Sequence, residues 1–198
     1  MIREDAVMKI GVLALQGAFV EHIRMLRELG LEAPEVRLAH EILGLNGLII
    51  PGGESTAIGK LMASYGLLDP VRRFSMDHAV WGTCAGMILM AKDTGRNQAG
   101  LGIMDITVER NAFGRQIDSF EENLTVDVLR DGHQRPFPGI FIRAPRLVAA
   151  RGSARVIAYL ADGTAVAACQ GRWLATAFHP ELSNDLRFHQ YFVDVVCS

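Results

Sequence analysis

The chain has 198 residues, of which 49% are hydrophobic, and a formal net charge of −2 at pH 7. This length suits one domain with a substantial core, so we expect a single domain over 1–198, of which 1–7 form a loose extension. The near-neutral charge gives no reason to expect a nucleic acid or a membrane as a partner, and no apolar run approaches the roughly 20 residues that span a bilayer. The N-terminus lacks the pattern of a signal peptide. The three widely spaced cysteines fit neither a disulfide framework nor a zinc site, so we expect a reduced, cytoplasmic setting.

The first half of the chain alternates between short apolar segments and amphipathic ones. The apolar segments predict strands at 9–15, 35–38, 47–50 and 79–81. The amphipathic segments predict one helix that ends near Gly30 and a second helix over 56–65. This alternation predicts an α/β fold with an open, mainly parallel sheet and helices on both of its faces.

The second half reads as a run of strands separated by turn signals such as Asp131-Gly132. The expected strands are 103–109, 124–129, 139–142, 156–160, 165–169 and 173–178. Because few helical patterns separate them, we expect antiparallel hairpins that extend or flank the parallel sheet. A final helix is expected over 184–196, with Ser183 or Asn184 as its N-cap. The complete prediction is a single-domain, three-layer, flavodoxin-like fold.

The most informative segment surrounds Cys84. Gly82-Thr-Cys-Ala-Gly86 joins an apolar strand-like segment to an apolar helix-like one, which is the form of a nucleophile elbow with cysteine in place of serine. The two glycines allow strand and helix to approach closely around a residue in a strained turn. Such a turn presents the sulfur at a helix N-terminus, where N–H groups bind a developing oxyanion. The alternative is a small buried thiol, which is the interpretation we adopt for Cys169 and Cys197.

His179-Pro180-Glu181 supplies a candidate base and a carboxylate to orient it. Side chains two residues apart in extended backbone lie on the same side. Glu181 can therefore accept the Nδ1 proton of His179 and leave Nε2 facing the sulfur. A lone His-Pro more often marks the end of a strand, but its joint presence with the elbow favours cysteine-dependent acyl chemistry. The remaining histidines are expected on the surface or on a helix face: His22, His40, His78, His133 and His189.

Two further clusters carry weaker signals. Pro51-Gly-Gly-Glu-Ser55 follows an expected parallel strand, and it can donate one N–H to an oxyanion while Ala85 donates another. A Gly-Gly turn before a helix is more often structural, and the Walker phosphate-binding pattern is absent. Arg110 and Arg143, in loops expected beside the site, can clamp a substrate carboxylate, although exposed arginines more often only solvate a surface.

In their order along the chain, these motifs resemble a known family. The motifs are Leu15-Gln-Gly-Ala18 with Glu21-His22, the Gly-Gly loop, the elbow, Val108–Gln116, Phe141–Pro145 and Phe178–Leu182. From about residue 8 to the C-terminus they resemble the class I (triad) glutamine amidotransferases, and within that class the glutaminase subunits of pyridoxal phosphate synthase. The elbow and His-Pro-Glu are generic to the class, whereas Glu109–Gln116 and the Leu-Gln-Gly start are specific to these subunits.

The resemblance implies a reaction and the residues that perform it. L-Glutamine would be the substrate, with Cys84 as nucleophile and His179, oriented by Glu181, as the proton carrier. Backbone N–H groups of Gly53 and Ala85 would form the oxyanion hole. The implied glutamine-binding residues are Gly52, Gly53, Glu54, Arg110, Ile142 and Arg143. No metal or bound organic cofactor is expected for this chain.

The resemblance also implies a partner, a TIM-barrel synthase subunit in a hetero-oligomer. That subunit would receive ammonia through an internal path and combine it with ribose 5-phosphate and glyceraldehyde 3-phosphate to form pyridoxal phosphate. Gln16 is expected to face this partner. Three rival interpretations stay open: a glutaminase for another synthase, such as that of imidazole glycerol phosphate; a flavodoxin-like cysteine protein of the chaperone or glyoxalase type; and a non-catalytic binding module.

Overall fold

The computed structural model describes residues 8–95, 97–110 and 119–197, the side chains of residues 195 and 196 excepted. The expected extension at 1–7 and most of the Glu109–Gln116 motif therefore lie outside the described residues. Across the described ranges, every helix is too short or too polar to cross a membrane.

Strands and helices alternate in the first half, as the sequence predicts. The strands are β1 (Ile10–Leu13), β2 (Glu35–Val36), β3 (Gly47–Ile50) and β4 (Ala79–Thr83). The helices are α1 (Phe19–Glu28), α2 (Ser55–Ser64), α3 (Leu68–Asp77) and α4 (Ala85–Met90), with a 3₁₀ turn at Ala39–Ile42. The predicted strands and the two predicted helices are confirmed, whereas α3 was not predicted from the sequence.

Strands dominate the second half. They are β5 (Ala91–Asp93), β6 (Met104–Glu109), β7 (Ser119–Leu124), β8 (Phe137–Ile142), β9 (Arg146–Ala150), β10 (Arg155–Tyr159), β11 (Ala165–Gln170) and β12 (Trp173–Thr176). A 3₁₀ turn at Pro180–Leu182 precedes α5 (Arg187–Tyr191), which continues as a π-helical turn over Phe192–Val196.

Within the described residues, one sheet has the strand order β2-β1-β3-β4-β12-β11-β9-β6-β5, with β10 paired to β11. Strands β2, β1, β3, β4 and β12 pair in parallel. Strand β11 is antiparallel to β12, β10 and β9, and β7 and β8 form a separate antiparallel pair. A parallel first half with antiparallel strands added in the second half is thereby confirmed.

The two faces of the sheet can be read from β4, where neighbouring side chains point in opposite directions. The Trp81 ring packs against His22 of α1 and Phe188 of α5, with ring centroids 5.6 and 6.2 Å apart. On the opposite face, Gly82 lies against Gly86 of α4, and α2 packs on α4. Helices therefore cover both faces of the sheet, and central strands β1, β3 and β4 are buried along their whole length.

One predicted strand is wrong, and so is the predicted start of the last helix. Of the strand expected over 124–129, Leu124 is the last residue of β7, and 125–129 form a turn segment in which the Leu129 N–H donates to the Val126 carbonyl at 3.0 Å. Val126 and Leu129 are apolar because they anchor this loop in the core, being 1% and 4% exposed. The last helix begins at Arg187, not at Asn184. Ser183 caps the preceding turn by donating to the Pro180 carbonyl, whereas Asp185 Oδ1 accepts the Arg187 N–H at 3.1 Å.

Candidate active site

Strand register brings three sequence motifs to one edge of the sheet. Ile50 at the end of β3 is level with Gly82, and Thr176 at the end of β12 is level with Thr83 of β4. Because these three strands are parallel neighbours, the segments that follow them emerge side by side at their carboxyl ends. Those segments are the Gly-Gly loop, the cysteine elbow and His-Pro-Glu.

Cys84 occupies the elbow between β4 and α4. Its φ of 48° and ψ of −102° lie in a region that residues with a Cβ rarely adopt. The Cys84 N–H donates to the Thr176 carbonyl at 2.8 Å, which ties the elbow to β12. A Cβ at Gly82 would overlap the Gly86 backbone, and one at Gly86 would overlap the Ile50 carbonyl. The predicted mechanical role of the two glycines is confirmed.

His179 and Glu181 form a buried pair beside the elbow. His179 Nδ1 lies 2.7 Å from Glu181 Oε1, and the two residues are 7% and 0% exposed. The predicted contact is present, but the predicted reason for it is wrong. Glu181 sits in the 3₁₀ turn Pro180–Leu182 rather than in extended backbone, so the turn folds the carboxylate back onto the ring. The His179 N–H donates to the Ile140 carbonyl at 2.8 Å, which fixes the start of this turn on β8.

The surroundings of His179 favour its protonated form. Burial opposes the charge, but hydrogen bonds with the Cys84 and Glu181 side chains, together with their charges, outweigh burial and raise the pKa of His179 to about 10. Since Nδ1 faces Glu181, Nε2 is the ring atom left for Cys84. At neutral pH the site therefore holds an imidazolium between a carboxylate and a sulfur, and its proton is available for a leaving group.

The Gly-Gly loop packs directly on this pair. A Cβ at Gly52 would lie 2.9 Å from His179 Nδ1 and 3.3 Å from Cys84 Cβ, so only glycine fits here without displacing the ring. Gln16, half-buried three residues after β1, contacts the loop. Its Oε1 accepts the Glu54 N–H at 2.8 Å.

Glu54 and Arg110 meet at the outer side of the loop. The Glu54 carboxylate caps α2 by accepting the N–H groups of Thr56 and Ala57 at 3.1 and 2.7 Å. Arg110 pairs with Glu54 at 3.0 Å and also donates to Thr56 Oγ1 at 3.0 Å and Gln98 Oε1 at 3.1 Å. The structure thus brings together these two predicted binding residues, which are 56 positions apart in the chain.

Ile142 and Arg143 reach the site from β8. The Ile142 carbonyl lies 3.9 Å from Cys84 Sγ. Arg143 is exposed and has a φ of 44°, a strained conformation that turns the chain away from β8 directly beside the elbow. Each of the predicted site residues lies within the described part of the chain. Within the described part of the chain, no group of three or more His, Cys, Asp or Glu side chains is arranged so that it could hold a metal ion.

Two histidines that we expected on the surface or on a helix face are buried behind the site. His22 of α1 and His189 of α5 are both 0% exposed, and their rings are joined by a 2.9 Å contact between Nδ1 and Nε2. His22 Nε2 lies 3.3 Å from Glu181 Oε2. The sequence contained a signal for this, because His22 shares the apolar face of α1 with Phe19, Ile23 and Leu26.

The class of protein follows from comparison of the fold. A solved structure described as "Crystal structure of glutamine amidotransferase" matches this chain with a TM-score of 0.88 and 46% sequence identity, covering 96% of this chain and 99% of that one. The fold of this chain is therefore that of a class I glutamine amidotransferase.

The family is narrower than the class. Residues 12–198 match the SNO glutamine amidotransferase family, and the chain belongs to that family. Two curated relatives are named "Pyridoxal 5'-phosphate synthase subunit PdxT". The one from Dehalococcoides mccartyi is 57% identical, with 95% of this chain and 97% of the relative covered. The one from Herpetosiphon aurantiacus is 52% identical, with 94% and 99% covered. The expected resemblance of this chain to glutamine amidotransferases, and among them to synthase subunits, is thereby confirmed.

Proposed function

We propose that this chain is the glutaminase subunit of a pyridoxal phosphate synthase, and that it hydrolyses L-glutamine to L-glutamate and ammonia at Cys84. One observation carries the catalytic part: the 2.7 Å contact between His179 and Glu181, placed by parallel strands beside a cysteine elbow. The relatives named as synthase subunits, which match over nearly their whole length, support the biological assignment.

The chemistry begins with attack of the Cys84 thiolate on the side-chain amide carbon of glutamine, which forms a carbon–sulfur bond and a tetrahedral oxyanion. The oxyanion collapses and the carbon–nitrogen bond breaks, while His179 donates its proton to the departing ammonia. A γ-glutamyl thioester remains on Cys84. Water then attacks this thioester as His179 takes up a proton, and glutamate leaves with the thiolate restored. Glu181 keeps the imidazole oriented and stabilises its charge.

Substrate binding is assigned to the residues around the cysteine. We propose that the N–H groups of Gly53 and Ala85 bind the oxyanion. Gly53 directly follows Gly52, which packs against Cys84 and His179, and Ala85 directly follows Cys84. The residues proposed to hold glutamine are Gly52, Gly53, Glu54, Arg110, Ile142 and Arg143. The pairing of Glu54 with Arg110 offers opposite charges to the two charged groups of an amino acid.

The proposed partner is a TIM-barrel synthase subunit in a hetero-oligomer, which consumes the ammonia together with ribose 5-phosphate and glyceraldehyde 3-phosphate. Ammonia that escapes into water is protonated and lost as a nucleophile, so the reaction benefits from direct transfer to that subunit. We propose that Gln16 faces this subunit. Because Gln16 accepts the Glu54 N–H, a shift of Gln16 on docking would move the Gly-Gly loop, which carries the Gly53 N–H of the proposed oxyanion hole.

The test compares two nitrogen sources in the complex with the synthase subunit. Pyridoxal phosphate formation is followed with glutamine or with ammonium chloride, using the wild-type chain and Cys84→Ser. We expect Cys84→Ser to abolish formation from glutamine and to leave formation from ammonium intact, because the synthase needs only the ammonia. A wild-type chain that fails to support formation from glutamine, while ammonium supports it, would overturn the assignment.

A further inference from the structure

The side of Glu181 that faces away from His179 meets a buried pair of histidines. Glu181 Oε2 is buried and has no hydrogen-bond partner of ordinary geometry among the described residues. The ring nitrogen that faces it is His22 Nε2, at 3.3 Å, and the same nitrogen lies 3.2 Å from Thr83 Oγ1. On the other side of the ring, His22 Nδ1 lies 2.9 Å from His189 Nε2. Three elements distant in sequence thus converge behind the catalytic pair.

Both rings are neutral at neutral pH. Burial, followed by repulsion from His189 and His179, holds the pKa of His22 well below its usual value. Burial alone lowers the pKa of His189 to about 3. Each neutral ring carries one N–H, so the contact between them has one donor and one acceptor.

The neighbouring groups decide which ring donates. If His22 carried its proton on Nδ1, its Nε2 lone pair could accept the Thr83 hydroxyl hydrogen but would still face the Glu181 carboxylate. The proton of His189 would then sit on Nδ1, a buried atom with no partner among the described residues. If His189 donates from Nε2, His22 carries its proton on Nε2 and offers it to Glu181 Oε2 and Thr83 Oγ1. In that arrangement the atom without a partner is an acceptor, His189 Nδ1. The other arrangement instead leaves a buried donor without a partner and points the lone pair of His22 Nε2 at a carboxylate.

We propose that His22 is a positioning residue for the glutaminase reaction: its Nε2–H holds the outer oxygen of Glu181, and His189 fixes the His22 ring in the tautomer that can do so. The proposal rests on the proposed function for its catalytic consequence. A carboxylate held at both oxygens cannot rotate about its last bond, so its inner oxygen stays directed at His179 Nδ1.

The proposal makes the proton affinity of His179 depend on a residue that does not touch it. The titratable groups that face the His179–Glu181 pair in the described structure are Cys84 at the elbow, His22 on α1 and, behind His22, His189 on α5. Loss of the His22 donor frees the carboxylate to turn, weakens its bond to His179 and lowers the pH at which His179 loses its proton.

Histidine tautomers in the wild-type chain give the first test. In two-bond ¹H–¹⁵N correlation spectra at pH 7, we expect His22 and His189 both to be neutral with the proton on Nε2, and His179 to be doubly protonated. A His22 ring with its proton on Nδ1 and a bare Nε2 overturns the proposal. This measurement needs neither glutamine nor a partner, so its outcome is independent of the proposed function.

Substitution of His22 gives the second test. Glutamine amide nitrogen can occupy the place of Nε2, whereas a methionine of similar length cannot donate. For His22→Met in the complex, we expect kcat to fall about 10- to 100-fold at nearly unchanged KM, the effect of losing a hydrogen bond to a charged group. The basic limb of its kcat profile should move to lower pH, and His22→Gln should restore most of the rate.

Val71→Ala is the control, because Val71 is fully buried on α3, which carries none of the site residues. It should lose stability without a change in kcat or in the pH profile. An unshifted basic limb in His22→Met, or equal losses in His22→Gln and His22→Met, contradicts a positioning role. A wild-type complex that releases no glutamate from glutamine would instead refute the proposed function, with the tautomer result still standing.

Discussion

A methyl group added at Gly52 should disable the site without unfolding the protein. In Gly52→Ala the new Cβ would lie 2.9 Å from His179 Nδ1, and closer still to Cε1, whereas carbon atoms settle at about 3.5–4.0 Å. The imidazole must therefore retreat by about 1 Å. That displacement lengthens the 2.7 Å bond to Glu181 beyond hydrogen-bonding range and turns Nε2 away from Cys84. Misplacement of a catalytic group by this amount costs about 100-fold in rate, so we expect kcat to fall by that factor.

The assay for Gly52→Ala is glutamate release in the presence of the synthase subunit, combined with urea unfolding. The φ of Gly52 is not positive, so alanine fits the backbone and the free energy of unfolding should fall by no more than about 3 kcal/mol. Gly66→Ala is the matched control, because Gly66 has a φ of 63° and no neighbour within 4 Å. It should cost about 1–2 kcal/mol of stability and leave kcat unchanged. Full activity in Gly52→Ala would refute the reasoning.

Three other predictions concern the same site. Glu181→Gln removes the carboxylate, so the pKa of His179 should fall from about 10 and the basic limb of the kcat profile should move to lower pH. An unchanged basic limb would show that Glu181 does not control the protonation of His179. Since folding raises the pKa of His179 from 6.5 to about 10, its protonation stabilises the native state fully below pH 6.5, and this is lost as the pH rises through 10. Between pH 7 and pH 10, the free energy of unfolding measured in urea should therefore fall more in the wild type than in His179→Asn. Equal falls in the two proteins would contradict the raised pKa of His179. Gln16→Ala should lower partner-stimulated glutaminase activity, because it releases the Glu54 N–H; unchanged stimulation would remove Gln16 from the interface.

Much of the site could be predicted from the sequence because its motifs are local and each follows a strand. The elbow, the Gly-Gly loop and His-Pro-Glu each come directly after a short apolar run. Parallel pairing of those strands is enough to bring the three motifs to one edge of the sheet. Glu54 and Arg110 required the family resemblance, since nothing in the local pattern of either residue predicts a contact across 56 positions.

What the sequence did not reveal depends on tertiary packing. His22 and His189 are 167 positions apart and are buried because α1 and α5 close over the same side of β4. Because no catalytic motif accompanies these two histidines, we expected them on the surface or on a helix face. The spacing of His22 with apolar residues of α1 was the signal that it is buried. Helix α3 was missed although Leu67, Val71 and Phe74 have that same spacing. The strand expected over 124–129 failed because buried apolar residues anchor a loop as readily as they form a strand.

The most direct test of the central claim is which cysteine glutamine hydrolysis requires. Glutamate release is measured in the presence of the synthase subunit for the wild type, Cys84→Ser and Cys169→Ser, the last removing a buried thiol of β11 as a control. We expect the wild type and Cys169→Ser to release glutamate at similar rates and Cys84→Ser to release none above background. Undiminished release by Cys84→Ser would contradict hydrolysis through a thioester at the elbow.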